Sequence, residues 1–522
     1  MQLALTDSAG DSRPLLALAL FLMAALLVVN FNLFYVGFIS SDDAIYVSAA
    51  RALLEPGNYL PTLHWGFRYT ALAPIAALES LVASPPELAY SLIPLGFSLA
   101  LGIAVVWFVW AYIGNRAALV TALLVSTMPL LVVWSSIINV DIIETVFLFL
   151  SFACFYTATQ APEARRIPWL LLSGLTLAGA MLTRETAYGF LIIYGLLFVL
   201  GAYFSRKHYL WVFAGVLLVV GLEMGFYMAS GESPLYRFYS ITQSHGSIGF
   251  KSGNFDPGTG NQSDNRWLAP IIALLVNQEF ALLFYASALA LVWLWFERCS
   301  TGDDRRLLRL GGFAALVFFV WLGYSGAIRP LPRYFLFAAV IALMPIAIVV
   351  QRTRFRVSAA LGIAGLVATN YLALSVENLY PRFAANQITA LAAADRQPIV
   401  TDPDSVSRAH QHADLLRSPD RDLISPDAPP AQPYTIVLVN GPNNDNAKLI
   451  SLIEAAKAVG QLQLVRQIEP PKLLIGHLLD TTGLATLLTP TQYQWLAIRN
   501  PRVQVFRVGV DSPSEPAVEP RH

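Results

Sequence analysis

The chain has little charge and almost no cysteine. Of its 522 residues only 13% are Asp, Glu, Lys or Arg, while 56% are hydrophobic. So few polar side chains cannot cover a surface that faces water all round. A water-soluble globular protein is thereby excluded for the whole chain, and lipid is expected to cover much of it. The 34 basic residues balance the 34 acidic ones, so no excess of positive charge marks a nucleic-acid binder. The two cysteines, Cys154 in an apolar run and Cys299 in a charged loop, form neither a disulfide framework nor a metal-ligand set. A phosphate-cradling glycine pattern is missing too. Asn440-Gly441-Pro442 stands between a strand-like and a helical stretch and reads as an ordinary connection.

What is abundant is apolar sequence in long runs. The first, residues 15–38, follows a leader whose only basic residue is Arg13 and is too long for the core of a signal peptide, so it reads as a retained spanning helix. Comparable runs follow at 88–113, 117–134, 142–158, 169–182, 187–204, 209–229, 268–296, 310–328, 334–350 and 357–374. The expected fold class is an all-α polytopic membrane protein of about eleven transmembrane helices. Several runs approach the roughly 17 residues a crossing needs, which sets a range of about ten to twelve.

The loops set the expected orientation. With a cytoplasmic N-terminus, Arg116, Arg165, Arg166, Arg206, Lys207, Arg298, Arg305, Arg306, Arg309, Arg352, Arg354 and Arg356 all fall in cytoplasmic loops, the side to which Lys and Arg are biased. Asp42, Asp43, Asp141, Glu144 and Glu185 then gather on the opposite side. Two domains are expected, residues 1–379 in the membrane and 380–522, polar and proline-containing, outside it. Within the second, strand-like 398–401 and 435–439, helical 446–459, then 461–467 and 503–508 point to a small α/β domain on the periplasmic side.

The most informative segment follows the first run directly: Ser40-Ser41-Asp42-Asp43-Ala44-Ile45-Tyr46. Neighbouring residues point in different directions on any regular backbone, which leaves one acid to face a site while the other caps the helix that begins near Ala44. Capping by both is the plainer alternative. Asp42-Asp43-Ala44-Ile45-Tyr46, with Ala50 and Pro56-Gly57-Asn58-Tyr59 after it, His64-Trp65-Gly66-Phe67-Arg68-Tyr69 and Arg333-Tyr334-Phe335-Leu336, resembles the pattern of the GT-C glycosyltransferases. The similarity is to the protein mannosyltransferase and aminoarabinose transferase group, which uses polyprenyl-phosphate sugars. Where that group carries Glu as its second acid this chain has Asp43, and the group's proline pair near His64 is absent.

The resemblance implies transfer of a single sugar, with inversion, from a polyprenyl-phosphate donor to a glycan, lipid or protein acceptor at the periplasmic face of a bacterial inner membrane. No divalent metal or other cofactor is expected. The resemblance implies Asp42 as the base, with Asp43 beside it. Chemistry independently asks for a base to take the acceptor's proton and for cations to meet the departing phosphate. Arg68, Arg184 and Arg333, with Tyr334, stand at the outer boundary and are assigned to the donor phosphate, which guanidinium forks suit. Snorkelling to the interface is the alternative for each arginine, and Glu185 is at hand to neutralise Arg184. Tyr46, His64, Asp141, Glu144 and His245 are assigned to the acceptor or sugar. Asp141 and Glu144, three apart, share a helix face, as they would at a water-facing helix end.

Residues 231–267, with Tyr236-Arg237-Phe238-Tyr239, His245, Lys251 and a stretch rich in Gly, Asn and Ser, have the composition of a substrate-gating loop. A transporter or a flippase of lipid-linked glycans would also span many times. It calls for acids deep within helices, whereas these acids gather at one boundary.

Overall fold

The computed structural model describes residues 9–57, 59–247, 268–297, 300–324, 331–394, 397–415, 423–427, 433–440 and 446–509. Its contacts divide the chain into two units, residues 1–37 with 49–374 and residues 38–48 with 375–522. The division falls inside one helix, Asp42–Leu53, between Ser48 and Ala49.

The first unit is helical. Eight of its described helices are long and apolar enough to cross a membrane: Arg13–Leu33, Glu87–Tyr112, Val140–Gln160, Glu163–Thr183, Arg206–Ala229, Gly302–Tyr324, Pro332–Arg352 and Arg356–Ser375. The three other apolar runs form shorter helices, each for a local reason. Run 117–134 breaks into Asn115–Thr127 and Pro129–Trp134 at Met128, whose ψ of 117° is extended. A following proline imposes that conformation. Run 187–204 stops at Leu200, where Gly201 turns left-handed at φ 59° and ends the helix. Run 268–296 divides into Ala269–Val276 and Leu283–Glu297. Between them Asn277 opens a short turn, its Oδ1 accepting from Glu279 N at 2.7 Å.

Pro332–Arg352 and Val140–Gln160 are the most enclosed of the long helices, with 78% and 72% of their apolar windows buried. They form the middle of the unit, so what their first turns carry is held by the core itself. Glu163–Thr183 packs along both Val140–Gln160 and Arg206–Ala229. The second contact brings backbones together, for a Cβ on Gly174 would overlap Val212 O and one on Gly215 would press on Leu171 O. Small residues permit such approach between membrane helices. Gly174→Val is expected to cost about 1–3 kcal/mol by overpacking, read as a lower thermal midpoint in detergent. Gly221→Val, at a position open on the same helix as Gly215, is the control and should stay close to wild type.

The second unit carries a sheet of five strands: β1 Ile399–Val400, β2 Leu423–Ile424, β3 Tyr434–Val439, β4 Leu462–Ile468 and β5 Val503–Val508. Their order is β2-β1-β3-β5-β4. β1 runs parallel between β2 and β3, and β5 is antiparallel to β3 and β4. Every residue of β3 is buried, as an unbroken apolar run requires when both sheet faces are covered. With the two-residue period of a strand, Val437 and Val439 join Ile388, Ala392 and Ala409 of helices Phe383–Ala394 and Pro403–Leu415. Ile436 and Leu438 join Leu449 and Ala456 of helix Ala447–Ala458 on the other face. The edge strand β4 is largely exposed and has a register shift between Leu464 and Arg466, an irregularity that discourages pairing with another chain. The architecture is thus the all-α polytopic unit with an appended α/β unit that composition implied.

Candidate functional site: a buried arginine and carboxylate cluster

The cluster starts at the head of Val140–Gln160. Asn139 caps this helix, its Oδ1 accepting from Asp141 N at 2.7 Å and Ile142 N at 3.4 Å, which fixes Asp141 in the first turn. The Asp141 carboxylate, 3% exposed, bridges two cations. Its Oδ1 pairs with Arg184 Nη1, and its Oδ2 lies 3.2 Å from Arg333 Nε. Arg184 ends helix Glu163–Thr183, and Arg333 belongs to the turn Pro332–Phe335 that opens the other central helix. Aromatic faces cover both guanidiniums: Arg184 stands 3.8 Å from the Tyr334 ring centre and Arg333 4.8 Å from that of Trp134. Such contacts attract a cation through the ring's negative face. Trp134 Nε1 in turn donates to Glu279 Oε2 at 3.2 Å. One turn along from Asp141, the buried Glu144 accepts from Thr186 Oγ1.

Arg184 has extended backbone, φ −164° and ψ 150°, so its neighbour Glu185 points the other way. The expected pairing of Glu185 with Arg184 therefore does not form. Glu185 lies 3.8 Å from both Arg68 Nη2 and Arg237 Nη2, and Asp141 is the partner of Arg184. At 3.8 Å these are ion pairs without a hydrogen bond. Arg237 is more firmly held by Glu223 Oε1 at 3.1 Å and by Met181 O at 2.7 Å. Glu223 also accepts from Tyr227 OH at 2.8 Å. Four arginines from separate parts of the first unit thus meet Asp141, Glu185 and Glu223. Charges removed from water at a bilayer boundary are costly unless paired, and here each cation has a carboxylate.

The acid pair belongs to the second unit and differs within itself. Asp43 is fully buried, and its carboxylate accepts from Ile39 N at 2.6 Å and Ser41 N at 2.7 Å. It closes a tight loop in which Ser40 takes φ 53°, a left-handed conformation that costs a non-glycine residue energy and needs such support. Asp42 is half-buried and Tyr46 buried. The helix begins at Asp42 rather than near Ala44. Burial pushes the Asp43 carboxyl above its ordinary range, against the backbone N–H groups that pull it down. The folded chain therefore holds this proton more tightly than the unfolded one. Its stabilising contribution is present at acid pH and is lost as pH rises from the ordinary carboxylate range, about pH 4, through the raised value. Asp43→Asn is expected to abolish that decline, checked by thermal unfolding of both proteins across pH 4–7.

Of the other expected residues, His64 is buried in the turn His64–Phe67, its ring centre 3.8 Å from that of Trp65. His245 falls in helix Tyr236–Ser247, which occupies the start of the stretch expected to be a loop, but its side chain lies outside the described residues, as do residues 248–267. Arg237, Glu223, Trp134 and Glu279 were not among the candidates. Glu223, a carboxylate inside an apolar run, carried the available signal, since such a charge requires a partner. Among the described residues no group of three or more His, Cys, Asp or Glu forms a metal-holding set.

Residues 87–223, which run from the second long helix through Glu223, match the family model of the dolichyl-phosphate-mannose-protein mannosyltransferases. The oligosaccharyltransferase of Archaeoglobus fulgidus in complex with zinc and sulfate superposes with a TM-score of 0.55 at 11% identity, over 95% of this chain and 88% of that one. ArnT from Cupriavidus metallidurans bound to undecaprenyl phosphate gives 0.51 at 15% identity, over 96% and 98%. The A. fulgidus enzyme AglB with an inhibitory peptide and a dolichol-phosphate gives 0.50 at 13% identity. There 79% of this chain is covered, and it spans 64% of the length of that structure. No curated protein matches. The fold is that of these oligosaccharyltransferase and ArnT structures, and the chain is a multi-pass membrane protein.

Proposed function

We propose that the protein transfers a single sugar from a polyprenyl-phosphate donor to a glycan, lipid or protein acceptor at the periplasmic face of a bacterial inner membrane, with the N-terminus cytoplasmic. The observation that carries this reading is the holding of Arg184 and Arg333 by Asp141 at the heads of the central helices, with Arg68 and Arg237 held by Glu185 and Glu223. Helix N-termini add their own positive field there. An anion is the ligand that suits such a cluster, and two proteins of this fold bind lipid phosphates, undecaprenyl phosphate in one and dolichol-phosphate in the other.

In the proposed reaction Asp42 takes the proton of the acceptor hydroxyl or amine. The acceptor atom bonds to the anomeric carbon with inversion, the bond from that carbon to the phosphate oxygen breaks, and its electron pair leaves with the polyprenyl phosphate. Arg333 and Arg68, named from the sequence, and Arg237 with them, stabilise the growing phosphate charge. Asp141 holds Arg184 and Arg333 in place, and Asp43 holds the loop that presents Asp42. The test is donor kinetics. Arg237→Ala and Arg333→Ala are each expected to lower kcat/KM for the lipid donor by about ten- to a hundredfold, the worth of a hydrogen bond to a charged group. Wild-type donor kinetics in both variants would remove the cluster from the reaction.

A further inference from the structure

We propose that the α/β unit has a saccharide-binding site of its own, past the carboxyl ends of β1 and β3 beside Asp402 and Asn446. In the order β2-β1-β3 the chain leaves β1 for β2 on one side, while β3 lies on the other. That reversal is the switch point at which open α/β sheets leave a crevice for ligands.

The backbone register shows that β1 stops short beside β3. Val400, the last residue of β1, pairs with Ile436, so β3 continues to Val439 without β1 beside it. Side chains replace the missing strand. Thr401 Oγ1 donates to Val437 O at 2.8 Å, and Asn446 Nδ2 donates to Val439 O at 2.8 Å. Successive odd residues of β3 turn their carbonyls to the same edge, so Thr401 and Asn446 stand one behind the other along the opening. Next to Thr401 is Asp402, 0% exposed. Its Oδ1 caps helix Pro403–Leu415 by accepting from Ser405 N at 3.0 Å. Its Oδ2 is buried with no hydrogen-bond partner among the described residues, and so is Asn446 Oδ1 at the head of helix Ala447–Ala458.

Two orphaned acceptors, one following β1 and one following β3 at the same switch point, ask for a ligand with two donors. An anion is repelled by Asp402, and an apolar ligand leaves both oxygens unsatisfied. A divalent cation wants more oxygen ligands than these two side chains provide. Neighbouring hydroxyls of a sugar ring meet the requirement, each donating to one oxygen. The choice of a saccharide over another double donor rests on the transferase reading; the site itself rests on the sheet geometry.

The experiment is saturation-transfer NMR on the full-length protein in lipid nanodiscs, with free mannose, glucose and galactose as probes and methylamine as the rival cation. Asp402→Asn keeps the capping oxygen and replaces the orphaned acceptor with a donor. The expected result is a hexose signal in wild type that weakens roughly tenfold or more in Asp402→Asn, the loss of one charge-assisted hydrogen bond, and persists in Arg333→Ala. Three results overturn the proposal: no hexose signal in wild type, binding unchanged in Asp402→Asn, or methylamine bound in place of the hexoses. A hexose held at the arginine cluster gives the reverse pattern, lost in Arg333→Ala and kept in Asp402→Asn. Failure of sugar transfer in an activity assay leaves this comparison unaffected, so the two readings fall separately.

Discussion

Replacing Asp141 with leucine is expected to destabilise the membrane unit by about 3–5 kcal/mol, the usual effect of leaving buried charge without its partner. Asp141 is the carboxylate between Arg184 and Arg333, and both guanidiniums lie largely inside the protein. Loss of that one anion removes the carboxylate that both guanidiniums share, so the thermal midpoint in detergent should drop well below wild type. Adding Arg184→Met to Asp141→Leu removes one of the two cations that Asp141 paired and should recover part of the stability, because an apolar replacement of a buried ion pair is often neutral. Transfer should stay lost in both variants, since Arg333 no longer has a fixed position. An Asp141→Leu protein that melts with wild type would mean that water, not Asp141, compensates the two arginines.

Asp42→Asn carries the second large effect. A general base that takes the acceptor's proton contributes about 10²- to 10⁴-fold to rate, so transfer should fall by that factor with little change in folding. Asparagine is nearly isosteric with aspartate, and Asp42 is the partly exposed member of the pair. Asp43→Asn is expected to act differently. Its carboxylate holds Ile39 N and Ser41 N, so the substitution turns one acceptor into a donor facing an N–H, at about 1–3 kcal/mol for the group left unsatisfied. It should therefore lower stability at neutral pH and affect rate only through the loop. Equal stability and equal rate loss in the two variants would contradict this division of roles.

The contrast between Asp42 and Asp43 marks how far the sequence reaches. Adjacency foretold that the two acids point apart; only the loop closure over Ser40 decides which one is buried. The same holds at Arg184-Glu185. Sequence placed both at the outer boundary and paired them as neighbours, whereas the extended backbone of Arg184 sends one to Asp141 and the other to Arg68 and Arg237. Apolar runs located the long helices because hydrophobicity sums over many residues. The breaks at Met128, Gly201 and Asn277 rest on single residues, which a run of apolar sequence outweighs. Arg237 was read as part of a loop, yet helix Tyr236–Ser247 brings it to Glu223, 14 residues earlier on another helix. Tertiary pairing of this kind has no periodicity to betray it. In the α/β unit, by contrast, all the expected strand positions recur, since the short β-branched and aliphatic runs of β3 and β5, one buried throughout and one partly, are written in the sequence itself.

The most direct measurement is to incubate native membranes containing the protein with a panel of polyprenyl-phosphate sugars and follow both the lipid and the acceptor by mass spectrometry. The account predicts free polyprenyl phosphate and one added sugar on the acceptor in equal amounts, and neither with Asp42→Asn. Donor lipid recovered intact across the whole panel, or moved between leaflets with its sugar still attached, would contradict it.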